Sequence, residues 1–147
     1  MNIAVACDHR GFEAKKKLIP LLKKLGHEVE DFGCESTVAV DYPQYAIVAS
    51  KAVASGSHDM GILLDGSGIG MSVAGNKVKD IRAGLVHDEI TAHRARDHNH
   101  CNVLCLGTDL LSEAQIRRIV EIFLSTPCGE GRHARRVEQL RAFERGK

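Results

Sequence analysis

The chain alternates between short apolar runs and longer segments in which apolar residues recur every three or four positions. The short runs predict buried strands, and the longer spacing predicts helices with one inward face. In the first predicted helix Leu18 and Leu21 face inward, Gly26 marks the end, and Pro20 should produce a kink or a break. The predicted strands are Ile3–Cys7, Glu28–Phe32, Asp59–Leu64, Arg82–Val86 and Val103–Leu106. The predicted helices are Phe12–Leu25, Pro43–Ser55, Met71–Lys77, Asp88–Asp97 and Ser112–Ser125.

This strand–helix order is typical of an α/β protein. It predicts a three-layer α/β/α sandwich with a five-stranded parallel sheet, doubly wound, whose crossovers are right-handed. In open α/β sheets, ligands bind outside the carboxyl ends of the strands. Polar residues follow four of the predicted strands and should therefore converge on one edge of the sheet. These segments are Asp8–Arg10, Asp65–Gly70, His87–Asp88 and Gly107–Asp109.

The segment Asp65–Gly70 is the strongest candidate for a ligand-binding loop. The buried run Ile62–Leu64 precedes it, and glycines alternate with other residues at Gly66, Gly68 and Gly70. Such a loop can turn tightly and direct successive backbone N–H groups at a small anion, especially where a helix begins just after it. The glycine spacing differs from the Gly-x-Gly-x-x-Gly of dinucleotide-binding loops, and the loop follows the third predicted strand, so a dinucleotide site is not expected.

Composition narrows the class of protein. The 147 residues are enough for one domain with a real core, and the formal net charge of +1 with 4% aromatic residues argues against nucleic acid as a partner. No apolar run approaches the length of a membrane span. The five cysteines have no paired spacing, as expected of reduced thiols. Asp8 lies too close to the N-terminus for the apolar segment before it to be a signal peptide. We therefore expect a cytoplasmic protein.

The last segment differs from the α/β core. We expect a core over residues 1–128 and a basic extension over residues 129–147, which together form one domain. Residues 132–147 carry six basic and two acidic side chains. Arg132 and Arg136 are four positions apart and would face the same way on a helix, as a phosphate clamp requires. A solvated basic tail is the alternative, and a helix beyond a hinge at Gly129–Gly131 also suits packing on a partner subunit.

Short motifs are spread along nearly the whole chain. They are, in order, Cys7 to Phe12, Asp41 to Tyr45, Gly66 to Gly70, Asn76-Lys77, Ile81 to Ala83, Arg96 to Asn99, Asn102 to Leu104, Gly131 to His133 and Arg136-Val137. Together they resemble the family of type B ribose-5-phosphate isomerases and galactose-6-phosphate isomerase subunits. The resemblance implies a homodimer or dimer of dimers with active sites at the subunit interface, and isomerisation of sugar phosphates between aldose and ketose without metal or cofactor.

The resemblance also implies roles for individual residues. The family opens the sugar ring with the histidine that is His98 here, and Ser67 with the loop N–H groups would stabilise the enediolate. Phosphate would be held by His9, Arg132 and Arg136; a further arginine of the family is replaced by Asp109, which should weaken phosphate binding. The full set of expected substrate-binding residues is Asp8, His9, Tyr42, Gly66, Gly68, Ile69, Gly70, Asn99, Asp109, Arg132 and Arg136.

The base that moves the proton is the point at which this chain departs from the family. One branch has cysteine at the position of Asp65, and another has glutamate at the position of Met71. A carboxylate in a poorly solvated site can have a raised pKa and act as a base, as the glutamate of triosephosphate isomerase does in its enediolate chemistry. We therefore predict that Asp65 is the base, with binding of a sugar hydroxyl as its alternative role.

Two further alternatives stay open at the level of sequence. Histidine and cysteine near residues 98–105 could bind zinc, and Asp8, Asp41 and Asp65 could gather a hard cation, but the spacings fit no closed metal motif, so no metal is expected. A subunit that binds a sugar phosphate without catalysis is the rival to an enzyme, since both known base positions have changed.

Overall fold

The computed structural model describes residues 1–146 and contains a five-stranded, all-parallel sheet. The predicted α/β fold is confirmed. The order of the strands across the sheet is β2-β1-β3-β5-β4, so the chain winds outward in both directions from β1 and β3. The strands are β1 (Asn2–Cys7), β2 (Glu28–Asp31), β3 (Met60–Asp65), β4 (Ala83–Leu85) and β5 (Val103–Gly107).

Helices cover both faces of this sheet. They are α1 (Phe12–Lys24), α2 (Tyr42–Ala54), α3 (Ile69–Gly75), α4 (Glu89–Asp97), α5 (Glu113–Ser125) and α6 (Arg132–Glu144). Alternate residues of each central strand point to opposite faces. In β3, Ile62 and Leu64 join the core beneath α1, α4 and α5, whereas Leu63 joins the core beneath α2 and α3. The central strands are therefore buried on both sides, which explains their continuous apolar runs.

Side-chain caps fix the start of two helices. Asp88 accepts a hydrogen bond from the backbone N–H of Thr91 at the start of α4, and Ser112 accepts one from the backbone N–H of Gln115 at the start of α5. Each is a capping box, which satisfies N–H groups that the first helical turn leaves without partners. These caps place both helix starts one residue later than the predicted ranges.

Two local predictions need correction. Helix α1 continues through Pro20, so the predicted break does not occur. Helix α3 begins at Ile69, two residues earlier than predicted, because Gly68 adopts φ +79° and turns the chain directly into the helix. A residue with a side chain is strained in this left-handed region, and glycine is not.

The direction of the strands separates two edges of the sheet. Because all strands are parallel, their carboxyl ends lie together, with Cys7 beside Leu64 and Asp65 beside Gly107. Each connecting helix runs back, so the C-terminus of α4 lies at the opposite edge, where β5 begins. No helix within residues 1–146 is long and apolar enough to span a membrane.

Candidate active site

The loops that follow β1, β3 and β5 form one connected surface, which we call the loop edge. It comprises Asp8–Gly11, Asp65–Gly70 and Gly107–Asp109. The Thr108 hydroxyl donates to the carbonyl oxygens of Arg10 and Asp65, at 3.1 and 3.0 Å, and the backbone N–H of Thr108 donates to the same oxygen of Asp65 at 2.8 Å. Three of the four segments predicted to converge are therefore held together by hydrogen bonds.

Asp65 is buried at the end of β3, with 5% of its surface exposed. Its carboxylate accepts hydrogen bonds from the backbone N–H groups of Gly68 and Met71, the second at 3.2 Å. Burial raises the pKa of Asp65, the two hydrogen bonds oppose that rise, and the neighbouring charge of Asp8 adds to it. The net direction is upward, as expected for a carboxyl group removed from water.

These hydrogen bonds reduce the number of backbone N–H groups that the glycine loop can offer to an anion. The N–H groups of Gly68 and of Met71, just after the loop, already donate to the carboxylate of Asp65, and that of Ile69 donates to the Ser67 hydroxyl at 3.2 Å. Within residues 1–146, the N–H groups of Gly66 and Gly70 donate to no protein acceptor, and Gly70 lies at the start of α3. The anion cradle predicted for residues 66–70 is therefore partly filled by the protein, and the Gly70 N–H is one of the donors that remain.

Tyr42 lies against the end of the glycine loop. A Cβ atom placed on Gly70 would lie 3.0 Å from the Tyr42 ring, so the ring packs directly on the glycine backbone. Tyr42 is the first residue of α2, and 36% of its surface stays exposed. Its hydroxyl can therefore reach a ligand while its ring is held in place.

Asp8 and His9 are also fixed by backbone groups. Asp8 is buried and accepts hydrogen bonds from the N–H groups of Arg10 and Gly11, at 2.8 and 3.1 Å. The Nδ1 atom of His9 accepts from the N–H of Val40 at 3.3 Å. That bond places the ring proton of a neutral His9 on Nε2, which is free to donate to a ligand.

Asp109 is paired with a cation that sequence reasoning did not identify. The guanidinium of Arg10 donates to the Oδ2 atom of Asp109 from both Nη2 and Nε, at 2.7 and 3.2 Å. The same oxygen would lie 2.8 Å from a Cβ atom on Gly66, so the pair stands over the glycine loop. Arg10 therefore offsets the repulsion that Asp109 was expected to exert on a phosphate.

A second group of residues, four of them predicted, lies at the end of α4 and the start of α6, and we call it the helix-end cluster. It comprises Asp97, His98, Asn99, Arg132, His133 and Arg136. The rings of His98 and His133 are stacked, with centroids 4.1 Å apart and planes within 5°. The Nε2 atom of His98 lies 3.2 Å from the Oδ2 atom of Asp97. Partial desolvation lowers the pKa of His133, the charges of His98, Arg132 and Arg136 lower it further, and the charge of Asp97 opposes them.

The loop edge and the helix-end cluster lie on opposite edges of one chain. The pairs Gly61–Val103 and Asp65–Gly107 mark the two ends of the β3–β5 ladder, and the four residue steps between them span about 13 Å. His98 precedes β5 and so lies beyond the first of these pairs. One chain therefore brings together Asp8, His9, Tyr42, Asp65, Gly66, Ser67, Gly68, Ile69, Gly70 and Asp109 on one edge, and His98, Asn99, Arg132 and Arg136 on the other.

The helix-end cluster is also the place where a metal ion would most easily fit. Donor atoms of Asp97, His98 and His133 lie within 4.8 Å of one another. However, an imidazole binds a metal through a lone pair in the plane of its ring, and two parallel planes about 4 Å apart cannot both contain one ion. The stacked arrangement therefore suits contact between the two rings better than shared coordination.

Three residues of these surfaces were missed by sequence reasoning. Arg10 carries the charge opposite to Asp109, Thr108 ties the loops together, and Asp97 contacts the predicted ring-opening histidine. Arg10 and Asp109 each follow a predicted strand, so their opposite charges were a usable signal once the order of strands was known. Asp97 had a simpler signal, since it directly precedes His98 in the sequence.

Comparisons with known proteins agree with this geometry. A family model described as Ribose/Galactose Isomerase matches residues 3–140. The chain is 40% identical over 143 residues to ribose-5-phosphate isomerase B of Escherichia coli, covering 97% of this chain and 96% of that protein. The solved structure of ribose-5-phosphate isomerase B from Clostridium thermocellum superimposes with a TM-score of 0.97 at 38% identity, covering 99% of each chain. The enzyme from Mycoplasma genitalium with bound ribulose 5-phosphate gives a TM-score of 0.95 at 37% identity, covering 99% of this chain and 97% of that one.

Proposed function

We propose that this chain, which belongs to the ribose/galactose isomerase family, interconverts an aldose phosphate and the corresponding ketose phosphate. Ribose 5-phosphate and ribulose 5-phosphate are the first candidates, because similar proteins carry the name ribose-5-phosphate isomerase B and one was solved with ribulose 5-phosphate. A related tetrose, pentose or hexose phosphate is the wider class. The chemistry we propose uses only side chains and backbone groups, without metal or cofactor.

The observation that carries this proposal is a buried carboxylate beside a free backbone donor at the loop edge. Asp65 removes the proton from C2 of the open-chain aldose, this proton exchanges with solvent while Asp65 holds it, and Asp65 then delivers a proton to C1 to give the ketose. About four lone-pair positions are available on a carboxylate, and hydrogen bonds to Gly68 and Met71 use two of them. The charge that develops on the enediolate oxygens is stabilised by the Gly70 N–H and the Ser67 hydroxyl.

The remaining chemistry belongs to the helix-end cluster. His98 opens the sugar ring before proton transfer, and Asn99 beside it binds the sugar. Arg132 and Arg136 are exposed one turn apart on α6 and can hold a phosphate with His9. At the loop edge, Asp8 and Tyr42 position sugar hydroxyls, and the Arg10–Asp109 pair borders the phosphate end.

Because these two surfaces are about 13 Å or more apart in one chain, a complete site needs a second copy. We propose a homodimer, alone or within a dimer of dimers, in which the loop edge of one subunit meets the helix-end cluster of the other. Exposed apolar side chains support such a contact. Ile69 and Val73 lie four residues apart on α3, and Leu140 and Phe143 lie on α6, with Phe143 83% exposed. Val137 packs α6 on its own chain, so the helix is placed to present the others to a partner.

The same family assignment and the state of the cysteines support a location in the cytoplasm. All five cysteines are free thiols, and Cys7 and Cys34 remain unbonded with their sulfur atoms 4.0 Å apart. Unbonded neighbouring thiols suit a reducing compartment.

Proton exchange across a panel of sugars tests the proposed activity. The purified protein is incubated in deuterium oxide with tetrose, pentose and hexose phosphates and with the free sugars, and each product is analysed by NMR. We expect interconversion of at least one aldose and ketose phosphate, with deuterium from solvent at the exchanging carbon, and no turnover of the free sugar. Binding of a sugar phosphate without conversion or exchange across the panel would instead identify a non-catalytic binding subunit.

A further inference from the structure

Asp97 occupies a position that is unfavourable for helix stability. It is the last residue of α4, where the backbone carbonyls give the helix end a partial negative charge. A carboxylate there is repelled, and basic residues are preferred. Arg94 and Arg96 follow that preference in the same turn, and Asp97 does not. An unfavourable side chain in an otherwise regular helix end calls for a reason outside the helix.

Asp97 is in close contact with the segment that leads into α6, through both its backbone carbonyl and its carboxylate. The N–H of Gly129 donates to the Asp97 carbonyl oxygen at 2.9 Å, and the Gly129 carbonyl contacts Nε2 of His100 at 2.7 Å. A Cβ atom on Gly129 would lie 2.5 Å from both the carbonyl oxygen and the Oδ1 atom of Asp97. Only a residue without a side chain allows this approach, so Gly129 and Asp97 fit together closely.

With Oδ1 against Gly129, the other oxygen of Asp97 faces His98. The distance from Oδ2 to Nε2 of His98 is 3.2 Å, an ion-pair contact. His133 stacks on the face of the His98 ring, with centroids 4.1 Å apart, and restricts its rotation. The ring therefore has a carboxylate at its edge and a second ring on one face.

We infer that Asp97 is a positioning residue for ring opening of the substrate, an inference that rests on the proposed function of His98. The negative charge of Asp97 beside Nε2 favours the ring proton on that atom, which leaves Nδ1 of His98 as the atom that exchanges protons with the sugar. Nδ1 takes the proton of the anomeric hydroxyl as the bond between C1 and the ring oxygen breaks. It then gives that proton to the released ring oxygen, so the step is balanced. Asp97 itself does not touch the sugar.

The role can be separated from the proton transfer at Asp65 by the choice of substrate. Ribose 5-phosphate is mostly a closed ring and must be opened. Ribulose 5-phosphate has its C5 oxygen blocked by phosphate and stays an open chain, so exchange of its C1 proton with solvent requires an enediolate but no ring opening. A positioning residue for ring opening should affect the first reaction and not the second.

Asp97→Asn tests the inference, and Glu130→Gln is its matched control. Glu130 is an exposed carboxylate in the same segment, and its change removes the same charge from the neighbourhood without touching His98. We expect Asp97→Asn to slow conversion of ribose 5-phosphate roughly 10-fold or more, a loss typical of an impaired acid–base group. Deuterium exchange at C1 of ribulose 5-phosphate should stay within about twofold of wild type, which is too small a change to indicate a lost proton-transfer group. Glu130→Gln should match the wild type in both reactions.

Folding provides a second readout. Since the carboxylate opposes the helix dipole, the unfolding temperature of Asp97→Asn should equal or exceed that of the wild type. Gly129→Ala, which displaces the Asp97 carboxylate, should reproduce the selective loss. The inference is overturned if Asp97→Asn converts ribose 5-phosphate at the wild-type rate, or if both reactions fall together. Absence of exchange in the wild type would instead overturn the proposed function.

Discussion

The loop edge and the helix-end cluster hold their side chains by different means. At the loop edge, Asp8 and Asp65 are buried, and backbone N–H groups of the adjoining turns bind both carboxylates. In the helix-end cluster, side chains contact side chains, and the arginines of α6 are exposed. Backbone donors place a group rigidly, whereas long exposed side chains adapt to a ligand.

The two surfaces also differ in charge. The loop edge carries three carboxylates and one arginine, at Asp8, Asp65, Asp109 and Arg10, whereas the helix-end cluster adds Arg132 and Arg136 to two histidines and a single acid. Proton transfer next to a carbonyl requires a fixed base, and a phosphate requires cations. Each surface thus supplies what the other lacks, which is the physical reason to expect that they meet across two subunits.

The largest effect is expected when the proposed base of the loop edge, which the helix-end cluster cannot replace, is removed. We expect Asp65→Asn to lower kcat by about 100-fold or more, as is typical for loss of a general base. Asp65→Cys, which keeps a group able to accept a proton, should retain more activity. Steady-state kinetics measure both variants, with circular dichroism as the control for folding. A nearly normal kcat for Asp65→Asn would remove Asp65 from the role of base and leave it as a binding residue.

The pH dependence of activity follows from the same burial. Asp65 acts as a base only when deprotonated, and burial raises its pKa. As the pH falls, activity should therefore be lost at a pH above the ordinary titration range of aspartate, about 3.9. A profile of kcat/KM against pH measures this loss. A profile that stays level down to the ordinary aspartate range would show that the titration of Asp65 does not limit the reaction.

A smaller effect is expected at the rim of the loop edge. Asp109→Asn should free Arg10 for the substrate phosphate and lower KM by up to about fivefold, because exposed ion pairs contribute at most about 1 kcal/mol. Glu113→Gln is the matched control, since it breaks the exposed pair, at 2.8 Å, between Glu113 on α5 and Lys17 on α1, the helix that follows the Arg10 loop. An unchanged KM in Asp109→Asn, or an equal shift in both variants, would show that the Arg10–Asp109 pair does not border the phosphate.

The smallest effect concerns metal ions at the helix-end cluster. Because the stacked rings of His98 and His133 do not suit one ion, dialysis against a chelator should leave kcat and KM unchanged. The measurement compares activity before and after dialysis, with metal content determined in parallel. Activity that disappears on dialysis and returns with added zinc would place a metal at Asp97, His98 and His133.

Much of the fold was accessible from the sequence because its signals are local. The apolar run ending at Asp65 and the glycines after it predict a strand and a turn without knowledge of the rest of the chain. The predicted start of α3 is two residues too late, because only the backbone geometry of Gly68 reveals where the helix begins. Boundaries of this kind depend on single dihedral angles.

The site was less accessible, because its key contacts join distant segments. The pairing of Arg10 with Asp109 spans 99 residues, and the approach of Gly129 to Asp97 depends on how the chain leaves α5. The separation of His98 from Asp65 follows from the reversed direction of α4, which the strand–helix order already implies. Motif matching places both residues in one site and does not state which subunit supplies each.

Complementation between two inactive variants tests most directly whether the loop edge and the helix-end cluster of different subunits form one site. Asp65→Asn and His98→Ala are each expressed and purified alone, and the two variants are also co-expressed and purified as a mixture. If each site takes one surface from each subunit, a mixed dimer has one intact site and one site with both defects. Random pairing should then restore about a quarter of the wild-type activity. If each chain forms its own site, both sites of the mixed dimer stay defective, and the co-expressed protein would be as inactive as either variant alone.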